Sequence, residues 1–208
     1  MKWFSIFSFV IIFLSSLAYT PDDREIDSYF PIKDGFKWTY LVKEKENVFK
    51  QEVICRISPN GDKINYDFIL ETNSIRKTKY YYKISNDTIY SIKVDVNWNV
   101  IPCKITIFNS PAIPVFLLNR NSRNNTKLYW EGKLHSFIFN KHLKINSEIK
   151  CFENIDTPIG ILKCLKVITT YKHKNKTEQY IAWYAKNIGL VKLVSPKHCK
   201  EIIAFSTF

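Results

Sequence analysis

The residue types that most often carry out chemistry are few and scattered in this chain. Its four histidines are His135, His142, His173 and His198. No Gly-x-Ser-x-Gly, His-Glu-x-x-His or glycine-rich phosphate loop is present. His198 and Cys199 are adjacent, but neighbouring side chains on a strand point to opposite faces, so an imidazole and a thiol placed there could not cooperate. The sequence therefore predicts no catalytic residue, no metal site and no cofactor.

The cysteines offer a different chemistry, because thiols can pair as disulfides. The chain has five cysteines, so they cannot all pair within one molecule. Cys151 and Cys164 are symmetric about Thr157-Pro158, and a hairpin turning there would place them opposite each other. Opposed Cβ atoms lie about 4.5–5.5 Å apart, and local twist brings such a pair to bonding distance. We predict a Cys151–Cys164 disulfide, with buried free thiols as the alternative.

Aromatic side chains form the third candidate set. Six of them could line a ligand cavity in a curved sheet: Trp38, Tyr40, Tyr66, Phe68, Tyr90 and Trp183. Aromatic faces more often form packed core than a cavity wall. Trp38 and Trp183 are therefore predicted to be buried on the inner face of one core, and neither is expected to be catalytic.

The N-terminal segment predicts export. Residues Lys2–Ala18 combine one cation, an apolar stretch and the small-residue pattern Ser16-Leu17-Ala18, which is the layout of a signal peptide cleaved after Ala18. The alternative is an uncleaved anchor, but a spanning helix needs about 20 apolar residues. Trp3–Leu17 supplies fifteen residues, four of them serines. We expect a signal peptide over 1–18 and a single domain over 19–208, located in the periplasm or outside the cell.

The charge balance points to an anionic partner. The chain carries 31 Lys plus Arg and 19 Asp plus Glu, and removal of the leader leaves a net charge of +11. Outside the cytoplasm, such a charge favours phospholipid headgroups or cell-wall polymers, while nucleic acid is a disfavoured partner. The basic run 172–176 is predicted to cap a hairpin, as a solvated turn or as a contact with such a surface. A codon bias toward lysine is the alternative source of the charge. Nothing in the pattern predicts an oligomeric state.

The elements that must position these residues are short strands. After the Asp34-Gly35 turn, apolar side chains alternate on one face at Phe36, Trp38, Tyr40 and Val42. Similar runs follow at 53–57, 64–70, 78–84, 88–96, 104–108, 127–131, 134–140, 147–153, 162–171, 177–185, 190–194 and 200–205.

About a dozen strands with short turns predict one fold class. We expect an all-β protein with at most one short helix, an antiparallel meander curled into a barrel or half-barrel that protects its edges. The long interruption Asn109–Asn125, with Pro111 and Pro114, is predicted either to close the mouth of the barrel or to form a surface strand between irregular loops.

Three segments carry a resemblance to a known family. YFPIKDGFKWTY (29–40), TPIGILKCLKV (157–167) and WYAKNIGLVKLV (183–194) resemble blocks of an uncharacterised family of secreted bacterial β proteins. Asn187 stands where that family has glycine, and Asn also tolerates the left-handed conformation. The resemblance implies export and a curved sheet distantly similar to the lipoprotein-carrier half-barrels of the bacterial envelope. It implies no activity.

Two functions follow as hypotheses. The first is a non-enzymatic envelope protein whose curved sheet binds an apolar or amphipathic ligand, such as a lipid, or supports a partner. The second is a hydrolase or transferase with a site assembled from dispersed residues. An apolar cavity without clustered polar groups favours binding, whereas convergent polar groups favour catalysis.

Overall fold

The computed structural model describes residues 29–57, 67–72, 76–85, 88–98, 104–117 and 127–207. These residues form twelve strands: β1 Lys37–Glu44, β2 Asn47–Ile57, β3 Asp67–Thr72, β4 Arg76–Ser85, β5 Thr88–Trp98, β6 Lys104–Leu117, β7 Lys127–His135, β8 Asn140–Thr157, β9 Gly160–His173, β10 Lys176–Ala185, β11 Gly189–Val194 and β12 His198–Ser206. Within these ranges, no helix is long and apolar enough to cross a membrane. The predicted leader 1–18 lies outside the described residues.

The strands form a single antiparallel meander. Each strand pairs with the next one along the chain, and β1 also pairs with β12, so the sheet closes into a barrel. The predicted fold class, an antiparallel meander curled into a barrel or half-barrel, is confirmed. Closure matters energetically because an open sheet would leave two rows of unpaired backbone groups exposed.

The first strand shows how the sequence pattern sets the inner face. Trp38, Tyr40 and Val42 are each at most 4% exposed, while Thr39 and Leu41, between them, are half-buried. The turn before β1 is fixed by Asp34, whose Oδ1 accepts a hydrogen bond from the Ile57 backbone N–H at 3.0 Å. Gly35 follows with φ of 82°, a conformation that glycine adopts without steric cost. The predicted alternation from Trp38 to Val42 is therefore confirmed.

Of the two alternatives predicted for Asn109–Asn125, the strand is present over the first half. β6 extends from Lys104 to Leu117, although residues 109–112 are not paired with β5, and residues 118–126 lie outside the described ranges. The prolines are compatible with a strand because β6 pairs with β7 only up to Ser110. Beyond that point, Pro111 and Pro114 have no neighbouring strand on the β7 side that would need their missing N–H groups.

The β8–β9 hairpin is present, but its register does not pair the two predicted cysteines. The turn lies at Pro158 and Ile159, with Thr157 opposite Gly160. A bulge between Ile149 and Phe152 removes Cys151 from the ladder, and Cys164 pairs with Glu153 instead. Cys151 is exposed, Cys164 is buried, and both are free thiols, as are Cys55 and Cys199. The predicted pairing of the two cysteines is wrong because the turn is centred between Pro158 and Ile159, one residue later than the predicted Thr157-Pro158, which moves the partner of Cys164 by two residues.

Asn187 adopts the conformation that its position requires. Its φ is 63°, in the left-handed region that asparagine tolerates better than most residues. Gly189 follows with φ of 90°, and a Cβ there would lie 3.1 Å from Pro31 Cδ. The tight connection between β10 and β11 thus depends on these two residues.

Gly132 on β7 provides a test of packing. A Cβ there would lie 2.5 Å from Trp130 Cζ2 and 2.7 Å from the Ser110 carbonyl oxygen. We expect Gly132→Ala to lower the free energy of unfolding by about 1–2 kcal/mol, since overpacking costs about 1–3 kcal/mol. Denaturant titration measures this loss, with Lys133→Ala on the exposed side as the control. An unchanged denaturation midpoint for Gly132→Ala would show that the Trp130 indole does not pack against Gly132.

Candidate functional site

The interior of the barrel is only partly filled. An eight-stranded barrel is just wide enough for side chains to fill it, and the diameter grows with strand number. With twelve strands, space remains as two adjoining cavities of about 380 Å³ and 220 Å³. Both are lined by Tyr80, Val115, Tyr184, Leu193 and Lys200. Because the two cavities share these five residues, they adjoin inside the barrel.

The larger cavity has mixed walls. Its apolar members come from several strands and include Phe49, Ile113, Ile145 and Leu193. Ser147 and Thr169 are hydrogen-bonded to each other, with 2.9 Å between their hydroxyl oxygens. Glu44 and His198, opposite each other on β1 and β12, lie where the cavity approaches solvent. This part of the interior can accommodate polar as well as apolar groups.

Tyrosine hydroxyls supply part of the polarity of the larger cavity. Tyr171 and Tyr180 make an edge-to-face contact with ring centroids 4.9 Å apart. Burial raises the pKa of Tyr171 to about 12, and burial also raises the pKa of Tyr184 strongly. Both hydroxyls are therefore neutral at physiological pH, when they act as hydrogen-bond donors and acceptors rather than as anions or bases.

One cation lies at the junction of the two cavities. Lys200 is 7% exposed, and its Nζ lies 4.4 Å from the centroid of the Tyr40 ring. Its neighbours in register are Val42 on β1 and Leu193 on β11, both of which line the larger cavity. Glu44 is the acidic residue among the lining side chains of the described part of the chain, and it is exposed. A cationic side chain is therefore among the walls that the two cavities share.

The smaller cavity is more apolar and better fixed. Trp38 Nε1 donates a hydrogen bond to the Ile188 carbonyl oxygen, and the Tyr40 hydroxyl donates to the Leu190 carbonyl at 2.9 Å. The remaining walls are mostly apolar, namely Phe30, Pro31, Val53, Tyr82 and Leu190. Hydrogen bonds to the backbone hold the two aromatic rings in place, so this end of the interior is largely preformed.

The six aromatic candidates fall into different places. Trp38 and Tyr40 line the smaller cavity. Tyr90 is half-buried on β5 and is not among the residues that line either cavity. Phe68 lies on β3, whose side chains are not described, and Tyr66 lies outside the described residues.

Trp183 is not on the inner face. It pairs with Lys166 and Lys192 across the sheet, and its Nε1 donates to Glu153 Oε2 at 2.8 Å. The next residue, Tyr184, lines both cavities, so Trp183 points away from them. The Trp183 side chain is partly buried and still packs against the hydrophobic cluster that contains Trp38. The predicted inner position of Trp183 is wrong. Trp183 and the apolar residues two positions away on β10 lie on the face of the strand that is opposite to the cavity-lining face.

Groups suited to catalysis are sparse around the interior. Ser195 Oγ lies 3.0 Å from His198 Nδ1, but the same oxygen accepts hydrogen bonds from the backbone N–H groups of Lys197 and His198. That pattern is typical of a side chain that closes a turn. Cys199 pairs with Lys43 and Val194 on the other face, away from the cavity that His198 lines. In the described ranges, no three His, Cys, Asp or Glu side chains cluster as a metal site would.

The most informative residues of the interior were not singled out by the sequence. Lys200 is one of many lysines, and its neighbours Cys199 and Glu201 give no sign of burial. Tyr171 and Tyr184 lie in strands that were predicted, at positions 162–171 and 177–185. Their spacing within these strands was the available signal, but it does not say which face of the strand is inner.

Comparisons with known proteins give only distant similarities. No family model matches the chain, and no curated protein matches it. A Parabacteroides distasonis structure, provisionally named a lipoprotein, is 12% identical with a TM-score of 0.43, covering 86% of this chain and 98% of that one. A Bacteroides fragilis structure, provisionally named an exported protein with a YmcC-like fold, is 11% identical with a TM-score of 0.45, covering 86% and 99%. The resemblance to a secreted family stays a prediction.

Proposed function

We propose that this chain is an exported, non-enzymatic envelope protein that binds an amphipathic ligand inside its barrel. The observation that carries the proposal is the unfilled interior, with cavities of about 380 Å³ and 220 Å³ sharing five lining residues. Sites for small molecules are typically concave, about 300–1,000 Å³, and mostly apolar with a few placed polar groups. Export is supported by the leader pattern of Lys2–Ala18.

The distribution of polarity favours a ligand with two chemical ends. The smaller cavity offers aromatic and aliphatic walls for a hydrocarbon segment. Lys200 at the junction, together with the neutral hydroxyls of Tyr171 and Tyr184 in the larger cavity, offers a cation and hydrogen-bond donors for a polar group. A negatively charged group is favoured there, because a buried cation interacts strongly with an anion that enters the same low-dielectric space.

Catalysis has weaker support. The neutral tyrosines cannot act as general bases at pH 7, and Ser195 is occupied in closing the turn before β12. The Ser195–His198 pair is the feature on which a hydrolase alternative would depend, because a hydroxyl beside an imidazole is an element of nucleophilic catalysis. Measurements of ligand binding and of ester hydrolysis on the same purified protein distinguish the two functions.

Calorimetric titration of the exported protein with dodecanoate and dodecanol tests the proposal. We expect the carboxylate to bind about tenfold more tightly than the alcohol, since an interaction with a charged group contributes about 1.5 kcal/mol or more. Lys200→Met should abolish that preference while leaving dodecanol binding in place. Lys192→Met is the matched control, because Lys192 pairs with Glu201 at 2.9 Å, away from both cavities.

A second variant tests the volume rather than the charge. Val115 lines both cavities, so Val115→Trp should weaken binding of both amphiphiles about tenfold or more, by filling the space between them. Val48→Trp, at a position 57% exposed, is the control. Failure of the wild-type protein to bind either amphiphile would contradict the proposal. Ester hydrolysis that Ser195→Ala abolishes would replace it with the enzymatic alternative.

A further inference from the structure

The connection between β7 and β8 carries exposed apolar residues where polar ones are usual. It comprises Ser136–Phe139, and within it Phe137 is 75% exposed and Ile138 is 56% exposed. Short hairpin connections usually consist of Gly, Asn, Asp, Ser or Pro, whose backbone preferences suit a turn. Placing a large aromatic and a β-branched side chain in water costs solubility and contributes nothing to this turn. We refer to residues 136–139 as the hairpin tip.

The hairpin tip has a defined shape. The Ser136 N–H donates to the Phe139 carbonyl oxygen at 2.9 Å, and Ser136 Oγ accepts from the Ile138 N–H at 3.2 Å. These bonds hold the backbone while Phe137 and Ile138 point outward. A partner that takes up the two side chains therefore pays little to order them.

Cations flank the hairpin tip. Lys133, Lys141 and Lys144 lie on the two strands that carry it, and Lys141 Nζ is 5.4 Å from the Phe139 ring centroid. Glu131 is the acidic residue of this hairpin end, and it pairs with Lys144 at 3.0 Å. From Gly132 to Ser147 the sequence contains no Asp or Glu. Phe137 and Ile138 are therefore flanked by positively charged side chains.

The hairpin tip projects from the end of the barrel at which the larger cavity lies. In an antiparallel meander every second connection is at the same end, so the β1–β2, β7–β8, β9–β10 and β11–β12 turns lie together. β9 ends at His173 with Lys172 opposite Lys144, whereas β7 and β8 stay paired to Asn140. At about 3.3 Å per residue, the hairpin tip stands about 10 Å beyond the β9–β10 turn. That turn adds Lys174 to this end, whereas Lys45 in the β1–β2 turn lies beside Glu46, and Lys197 in the β11–β12 turn pairs with Glu178 at 3.2 Å.

We propose that the hairpin tip docks this protein on a bilayer that contains anionic phospholipid, with Phe137 and Ile138 in the interface and the flanking lysines at the headgroups. A bilayer fits better than a protein partner, because a specific protein interface buries about 1,200–2,000 Å² and two side chains fall far short of that. Interfacial anchoring needs only a few apolar groups beside cations that attract anionic lipid. The inference does not depend on a ligand in the barrel.

Vesicle sedimentation of the exported protein tests the docking. We expect binding to vesicles of phosphatidylcholine with phosphatidylglycerol and weaker binding to phosphatidylcholine alone. Phe137→Ser combined with Ile138→Ser should reduce partitioning to the anionic vesicles about tenfold or more. Ile161→Ser is the matched control, because Ile161 is 73% exposed on the β8–β9 hairpin at the opposite end of the barrel.

A spectroscopic readout separates insertion from surface adhesion. A tryptophan introduced by Phe137→Trp should be quenched by brominated acyl chains, whereas one introduced by Ile161→Trp should not. Lys133→Glu with Lys141→Glu should remove the preference for anionic vesicles. Equal binding by the serine double variant and the wild type, absence of wild-type binding, or no selective quenching at position 137 would each overturn the proposal. Thermal melts of every variant establish that the barrel is intact.

Discussion

Trp38→Ala should lower the free energy of unfolding by about 3–5 kcal/mol, the usual cost of truncating a buried tryptophan. Trp38 is 4% exposed and packs edge-on against Phe36, with ring centroids 6.0 Å apart. A second ring, that of Phe205 on the neighbouring strand, lies 5.9 Å away. The indole Nε1 also donates a hydrogen bond to the Ile188 carbonyl oxygen. That oxygen would lose its partner in the alanine variant. Urea titration measures the change against a total stability of about 5–15 kcal/mol for a domain.

Two comparisons separate packing from a role in binding. Trp38→Phe keeps a ring but not the N–H, so it should cost less than the alanine variant. Trp98→Ala, at a strand end that is 40% exposed, should change stability by no more than about 1 kcal/mol. If Trp38→Ala melted like the wild type and lost only amphiphile binding, the indole would be a ligand contact and not a core anchor.

The second large effect is expected at Asp95 on β5. This carboxylate is 1% exposed and faces away from the cavities, because Val94 beside it pairs with the cavity-lining Tyr80. Thr106 donates to Oδ1 at 2.8 Å, and Tyr81 donates to Oδ2 at 2.9 Å. Lys104 Nζ lies 3.2 Å from Oδ2. The network joins β4, β5 and β6, three strands whose pairing with one another is interrupted by bulges.

Asp95→Ala should lower the free energy of unfolding by about 2–3 kcal/mol, since hydrogen bonds to charged groups contribute about 1.5–3 kcal/mol each and their partners would be left unpaired. Glu178→Ala is the control, because Glu178 forms an exposed pair with Lys197 at 3.2 Å. Exposed pairs contribute about 0–1 kcal/mol. A loss at Asp95 no larger than that at Glu178 would contradict the importance of the network.

The network also predicts a pH dependence. Burial by itself raises the pKa of Asp95, but the hydrogen bonds from Thr106, Tyr81 and Lys104 outweigh it and hold the pKa below its ordinary value. A carboxylate whose pKa is lowered by folding stabilises the protein above the unfolded-state pKa of about 3.9, and this contribution is lost as pH falls through the folded value. Wild-type stability should therefore fall below about pH 4. Asp95→Asn should flatten part of that fall, and an unchanged acid profile would contradict the assignment.

Local patterns were sufficient for most of the strands. Alternation at Phe36, Trp38, Tyr40 and Val42 identified β1 and its inner face, because period-two alternation follows directly from strand geometry. The same reasoning failed at Trp183, whose apolar neighbours in period two lie on the face away from the cavity. Alternation shows that a strand has two different faces. In a barrel whose outer surface is partly apolar, alternation does not show which face is the inner one.

The sequence pattern also did not determine the register between β8 and β9. The β8–β9 hairpin was predicted, but its turn is centred between Pro158 and Ile159, one residue later than expected, so Cys164 pairs with Glu153 and not with Cys151. Moving the turn by one residue changes each partner by two positions, which leaves every side chain on the same face, so the apolar pattern cannot detect it. At Asn109 the sequence left a loop and a strand open, since whether Pro111 disrupts a strand depends on whether a neighbouring strand needs its N–H.

By itself, the sequence determined an antiparallel all-β chain of strong positive charge with an export leader pattern, because composition and period-two alternation are local properties. The tertiary structure decided that twelve strands close into one ring, and closure at that number leaves an interior that side chains do not fill. It also placed Lys200 at the junction of the cavities and Phe137 on a projecting turn. These placements depend on register, bulges and closure between distant strands, which no stretch of residues encodes alone.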